Sequence, residues 1–134
     1  MTHQLNFIYN DSDWIAPAEY PDLSQATEIA IDLETKDPNI KTKGPGWATF
    51  DGHIVGFAVA ALGQQWYFPI AHDAGGNMDL SITCAWMQDI LKTDATKIFH
   101  NASYDVGWLL VNGFEIRGKI VDTMVAAAII NENR

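Results

Sequence analysis

The stretch Glu28-Ile29-Ala30-Ile31-Asp32-Leu33-Glu34 decides the fold. Ile29, Ile31 and Leu33 alternate with Ala30, Asp32 and Glu34, and a period of two puts the first set on one face of a strand and the second on the other. The wholly apolar face belongs against a core. The opposite face carries two carboxylates two residues apart, which on a strand point the same way with Cβ atoms about 6–7 Å apart. An isolated acidic pair on the non-core face of a strand ordinarily meets water. This strand is the most apolar-flanked of the early ones, however, so it is predicted to be central, with its second face under a helix. There a carboxylate needs a partner, because burying an unpaired charge costs several kcal/mol.

Beyond that strand, residues 35–52 are rich in Pro, Gly, Asn, Lys and Asp, and read as a long loop insertion. Strand-like runs at 53–60 and 65–70, joined by Ala61-Leu62-Gly63-Gln64, predict a hairpin and, with the first strand, an antiparallel meander. Residues 80–91 place Ile82, Trp86 and Ile90, and Met87 with Leu91, at helical spacing behind Asp79 or Ser81 as cap. A short buried strand is expected at 97–99, then a helix over 103–111 with Val106, Leu109 and Leu110 inward, ended by Asn112-Gly113. A strand at 119–121 and a helix capped by Asp122 follow. Upstream, residues 5–9 read as one more short strand. Three antiparallel strands and then alternating helix and strand imply an α/β fold with a mixed sheet and helices on both faces.

The 134 residues suit one domain, whose commonest size is roughly 100–150 residues. Eight Lys+Arg against 17 Asp+Glu leave a net charge of −9. A broad basic surface for nucleic acid is thereby excluded, since each phosphate neutralised needs a cation; any such contact must be local, with metal ions as its expected means. The lone Cys84 allows no intrachain disulfide, and no Cys/His cluster has zinc-ligand spacing, which points to a reducing cytoplasm. No secretory signal is visible and no apolar run approaches the ~20 residues that span a bilayer, so no membrane partner is expected.

A second cluster, His100-Asn101-Ala102-Ser103-Tyr104-Asp105, follows the short strand at 97–99. With Asn101 at the helix cap, Asp105 lies one turn on along the same face, towards the carboxyl end of the neighbouring strand where open α/β sheets place ligands. A structural reading stands beside it, with Asn101 capping and Asp105 favouring the helix dipole. Asp32, Glu34 and Asp105 together make an all-oxygen set from two elements, which favours Mg²⁺ or Mn²⁺ over zinc and suits two-metal phosphoryl chemistry. The four scattered histidines support no hydrolase triad, and Gly44-Pro45-Gly46-Trp47 fits neither common nucleotide-binding loop. The five tryptophans are packing residues by type; Trp47, beside Lys41 and Lys43, is the one a nucleic-acid base could reach.

Ala30-Ile31-Asp32-Leu33-Glu34-Thr35 and Asn101-Ala102-Ser103-Tyr104-Asp105 resemble, in this order, the Exo I (D-x-E-T) and Exo II (N-x-x-x-D) motifs of the DEDD, or DnaQ-like, 3′-5′ exonucleases. Trp66-Tyr67-Phe68-Pro69-Ile70-Ala71-His72-Asp73 and Gly113-Phe114-Glu115-Ile116-Arg117-Gly118, leading into Val121-Asp122-Thr123-Met124, are similar to the proofreading domain of bacterial and phage family A DNA polymerases. The segment from Asp37-Pro38-Asn39 to Gly44-Pro45-Gly46-Trp47 is similar to phage members. The resemblance, from about residue 28 onward, implies a ribonuclease-H-like fold whose carboxylates hold two divalent cations, Mg²⁺ or Mn²⁺. Asp32 would bridge both, Glu34 would ligate the one that activates the attacking water, and Asp105 would hold the second. Asn101 would bond the sugar-phosphate, Tyr104 would pack beside the terminal nucleotide, and the Thr35 backbone would contact its sugar.

The implied partners are a single-stranded DNA 3′ end and a DNA polymerase domain in the same or a separate chain, in bacterial or phage-infected host cytoplasm. Where some relatives carry a Leu wedge, this chain reads Lys36-Asp37-Pro38-Asn39. The third family motif, Exo III (Y-x-x-x-D or H-x-x-x-D), does not occur after Asp105, and Asp122 reads as structural. The chain is therefore expected to be the N-terminal portion of such a domain: an expressed fragment, a split gene product or a remnant with an incomplete metal site. Two alternatives stand beside the proofreading exonuclease: a non-catalytic nucleic-acid-binding or scaffolding module of a polymerase, and an RNase D-like ribonuclease.

Overall fold

The computed structural model describes residues 15–125. Its central strand is β1 (Glu28–Lys36), and Ile29, Ile31 and Leu33 are all at most 3% exposed there. The chain then enters α1 (Ile40–Lys43) and α2 (Gly46–Thr49), two short helices inside the segment expected to be irregular loop. Side-chain bonds invisible to composition order this lobe. The Gly46 N–H donates to Asp37 Oδ2 at 2.9 Å, and Asn39 Nδ2 donates to Asp51 Oδ2 at 2.6 Å.

β2 (His53–Ala61) and β3 (Gln64–Pro69) complete the antiparallel meander. Their turn, Leu62-Gly63, has φ of 53° and 73°, the two positive values that a type I′ hairpin requires. Across β1 and β2, Ile31 faces Val59 and Leu33 faces Phe57 on the core side. On the other side the partners are small: Ala30 faces Ala60, Asp32 faces Ala58, and Glu34 faces Gly56. The sheet thus sets its acidic residues opposite small ones, which leaves the space over them to other side chains.

α3 (Leu80–Leu91) opens at Asp79, whose carboxylate accepts the Ile82 N–H at 2.9 Å. Its buried residues are Thr83, Met87, Ile90 and Leu91, while Ile82, expected inward, is 57% exposed. Thr83 takes the inward place, where its Oγ1 and the Tyr20 hydroxyl share a hydrogen bond of 2.6 Å. β4 (Thr96–Phe99) returns parallel to β1. Its Lys97 is fully buried, donating to the Thr93 carbonyl and, at 2.8 Å, to the Arg117 carbonyl. α4 (Ala102–Val111) buries Asp105, Trp108 and Leu109, and turns Leu110 outward at 57% exposure, against expectation. It ends in a Schellman closure, with Gly113 N–H to the Leu110 carbonyl and Phe114 N–H to the Leu109 carbonyl, both 3.0 Å. Phe114 is thereby tucked against Phe57.

β5 (Ile120–Asp122) pairs parallel with β4 and gives the order β3-β2-β1-β4-β5. Residues 123–125 are helical; the remainder of the helix expected after Asp122, and the strand expected at 5–9, lie outside the described residues. Among the described residues no helix is long and apolar enough to cross a membrane.

Candidate active site

Asp32 and Glu34 lie on the second face of the central strand, as their spacing requires. Glu34 is 1% exposed, whereas Asp32 is exposed. Gly56, cross-strand from Glu34, has no side chain because the Tyr67 hydroxyl occupies that space; a Cβ there would fall 1.9 Å from it. Tyr67 is held in turn by a 2.5 Å bond to His72 Nε2. Just after Glu34 the β1–β2 register skips a residue, the kind of bulge that re-aims a strand side chain next to functional sites.

Thr35, beyond the bulge, meets Tyr104 of α4: Thr35 Oγ1 and the Tyr104 hydroxyl lie 2.9 Å apart, and the same hydroxyl donates to Asp37 Oδ2 at 2.9 Å. A phenol has one proton, so with Asp37 receiving it Thr35 must be the donor to Tyr104. This chain of bonds brings two sequence-predicted residues, Thr35 and Tyr104, into contact. It adds Asp37, to which the sequence assigned no role in the site.

Asn101 occupies the N-cap of α4 but does not cap it, since its side chain makes no capping bond. Its backbone is left-handed, φ 65° and ψ 63°, an unusual conformation for a residue other than glycine. Asp122 does the capping instead: Oδ1 accepts from Asn101 N–H and Oδ2 from Ala102 N–H, each at 3.0 Å, while Oδ1 also accepts from Met124 N–H at 3.0 Å. Burial pushes the Asp122 carboxyl up, but amides of Ala102, Met124, Asn101 and Val125 outweigh it and hold it below the usual range. The Asn101 amide, free of the cap, receives only the Ser103 hydroxyl at 3.3 Å among the described residues.

Asp105, in the first turn of α4, is 3% exposed. Burial first, then the charge of Asp32 and lastly that of Glu34, push its pKa up to about 7 against a hydrogen bond from the Leu33 backbone. Burial and then Asp32 push Glu34 up to about 6. Asp32, although exposed as a residue, is raised by the partial desolvation of its carboxyl, opposed by the nearby charge of His100. The three carboxylates therefore lie within electrostatic reach of one another. Glu34 Oε1 and Asp105 Oδ2 are buried without a hydrogen-bond partner. Buried anionic oxygens without donors suit a hard divalent cation, and the set contains no sulfur or nitrogen. As placed, no three His, Cys, Asp or Glu side chains among the described residues converge tightly enough to enclose a metal.

Trp47 does not stand free for a base: its ring lies where Gly107 of α4 has no side chain, and a Cβ there would fall 2.4 Å from it. The lobe is thereby seated on the helix that carries Tyr104 and Asp105.

Residues 19–134 match the family model described as 3′-5′ exonuclease. A DNA-directed DNA polymerase of Pseudomonas phage M6 is 34% identical over 114 residues, covering 81% of this chain and 17% of the polymerase. Among solved structures, Brucella melitensis NrnC has a TM-score of 0.56 at 20% identity, covering 86% of this chain and half of its own. A structure of that protein with bound Mg²⁺ matches equally well at 19% identity. The RNase domain of the yeast Pop2 protein has a TM-score of 0.59 at 14% identity, covering 83% of this chain and 65% of its own. These likenesses show the fold, a ribonuclease-H-like mixed sheet with flanking helices. The chain thus spans half to about two-thirds of the structures it matches and about a sixth of the phage polymerase, and it belongs to the 3′-5′ exonuclease domain family of family A DNA polymerases.

Proposed function

We propose that this chain supplies the carboxylate and strand-end-binding part of a proofreading exonuclease, acting on the 3′ end of single-stranded DNA beside a polymerase domain in the same or a separate chain, in bacterial or phage-infected cytoplasm. One observation carries the reading: Glu34 and Asp105, from different elements, are buried with unpartnered oxygens, and the charge of Asp32 acts on both.

Asp32, Glu34 and Asp105 would hold Mg²⁺ or Mn²⁺, two ions in all, which when bound supply an activated water and neutralise charge at the phosphate and the leaving 3′-oxygen. The surrounding residues bind and orient the strand end. The first amides of α4 are committed to Asp122, so a phosphate at this end of the helix meets the Asn101 side chain instead. The Tyr104 hydroxyl is committed to Asp37 and Thr35, which fixes its ring as a wall for the terminal nucleotide and leaves the Thr35 backbone for the sugar.

The test is a 5′-labelled single-stranded DNA oligonucleotide incubated with the chain and Mg²⁺ or Mn²⁺. A ladder shortening from the 3′ end, lost in Asp32→Ala, is expected. No ladder, or one indifferent to Asp32→Ala, overturns catalysis and leaves the scaffolding reading. The fold likeness to an RNase domain gives the ribonuclease reading its support. The same sequence made as RNA separates the two, because only RNA offers the 2′-OH, and preferential cleavage of RNA would replace DNA as the substrate.

A further inference from the structure

The lobe of residues 37–51 takes no part in the carboxylate chemistry, yet it is built rigidly. Asp37 holds Gly46 at its far side and Tyr104 at its root, Asn39 is tied to Asp51, and Trp47 is seated on Gly107. Held out at its end is Phe50, 89% exposed, with φ 57°. It closes α2 through its N–H to the Gly46 carbonyl, a left-handed position that glycine or asparagine fills at less cost than a bulky side chain. The local fold therefore gives no reason for an aromatic at that point, and water gives a reason against it.

The same lobe carries Lys41 and Lys43, both exposed and without an ion pair among the described residues, whereas Lys36 at its root is paired with Asp73. An exposed ring and unpaired cations on one short, cross-braced lobe are how proteins hold single-stranded nucleic acid without reading its sequence: every base offers a π-face and every phosphate a charge.

We infer that the 37–51 lobe is a strand platform, in which Phe50 stacks on a base of a single-stranded oligonucleotide while Lys41 and Lys43 meet its phosphates. The inference deepens the proposed function, resting on it for the strand's polarity, with the 3′-terminal nucleotide at Tyr104 and the preceding strand over the lobe. It also gives the base contact to Phe50, the exposed aromatic, in place of the packed Trp47.

The test is fluorescence anisotropy of a short 5′-labelled oligothymidylate with the whole chain in EDTA, where nothing is hydrolysed. Phe50→Ala is expected to weaken binding about 5- to 150-fold, the effect of losing one stacked base, while Phe50→Trp retains it. The double change Lys41→Ala/Lys43→Ala should flatten the slope of log affinity against log salt by about 1.4, two phosphates at about 0.7 each. On an oligomer of abasic sites, wild type and Phe50→Ala should bind alike. Undiminished binding of oligothymidylate by Phe50→Ala, an equal loss on the abasic oligomer, or no binding by wild type overturns the platform. Failure of the nuclease reading is distinguishable: no ladder with the Phe50 effect intact removes the nuclease and keeps the platform, and a ladder without the Phe50 effect does the reverse.

Discussion

Replacing Asp105 by asparagine should make the metal-free protein more stable at alkaline pH, although it removes a residue of the candidate site. A carboxyl whose folded pKa exceeds its unfolded value binds its proton more tightly in the fold. Its stabilising contribution is complete below the unfolded pKa and is lost as pH rises through the folded one. For Asp105 that window runs from the model-peptide value of 3.8 to about 7. Three pH units at about 1.36 kcal/mol each amount to about 4 kcal/mol. Part of this is repulsion shared with Asp32 and screened by water on its exposed side, which leaves about 2 kcal/mol for Asp105 itself. At this chain length 1 kcal/mol moves Tm by roughly 3–5 °C, so the expected gain is about 6–10 °C. The assay is thermal unfolding by circular dichroism in EDTA across about pH 4 to 8. Wild type should lose stability as pH rises, and Asp105→Asn should lose less, the two curves converging at the acid end. A wild-type Tm that is flat over this range, or an asparagine variant no more stable at about pH 8, would refute the reasoning from burial and repulsion.

Added Mg²⁺ or Mn²⁺ should raise the wild-type Tm near neutral pH and do so less as pH falls through about 6, where Glu34 and Asp105 take up protons; Asp32→Ala should abolish the effect in the same scan. Gly107→Ala drives a methyl into the Trp47 ring, so hydrogen exchange should show residues 37–51 loosened while β1 and β2 keep their protection, at a cost of about 1–3 kcal/mol in chemical denaturation. Lys97→Ala removes a buried amine from two carbonyls and leaves a void, and should destabilise by about 3 kcal/mol, whereas Lys97→Met, which refills the volume, should recover most of that in the same urea titration.

The antiparallel meander and the type of the longer elements were legible because their signals are local: Ile29, Ile31 and Leu33 alternate, Leu62-Gly63 makes a hairpin turn, and Asn112-Gly113 stops a helix. Inward faces were less so. Ile82 and Leu110 are apolar enough to be expected inside, but in one helix Thr83, bonded to Tyr20, holds the inward place and in the other Asp105 and Trp108 do. The 35–52 segment has a loop's composition because its order comes from Asp37, Asn39 and Trp47 bonding or packing across the lobe and onto α4, which periodicity does not encode. Within the candidate site, the approach of α4's Asp105 to Asp32 and Glu34 follows from motif order plus topology. The capping of α4 by Asp122, about twenty residues away, has no local signature, which is why Asn101 looked like the cap.

That long-range cap also has a consequence for the order in which the site is assembled. β1, α4 and all three carboxylates precede Asp122 in the chain, but the left-handed turn at Asn101 lacks its carboxylate cap until β5 pairs with β4 and brings Asp122 to the amides of 101 and 102. The helix beside the site can form early from its own sequence, whereas its entrance is shaped only when the edge strand arrives. A fragment ending anywhere between residues 105 and 122 would therefore carry every candidate metal ligand without the carboxylate that holds the Asn101 backbone, so the chemistry of the site and its shape are completed by different parts of the chain.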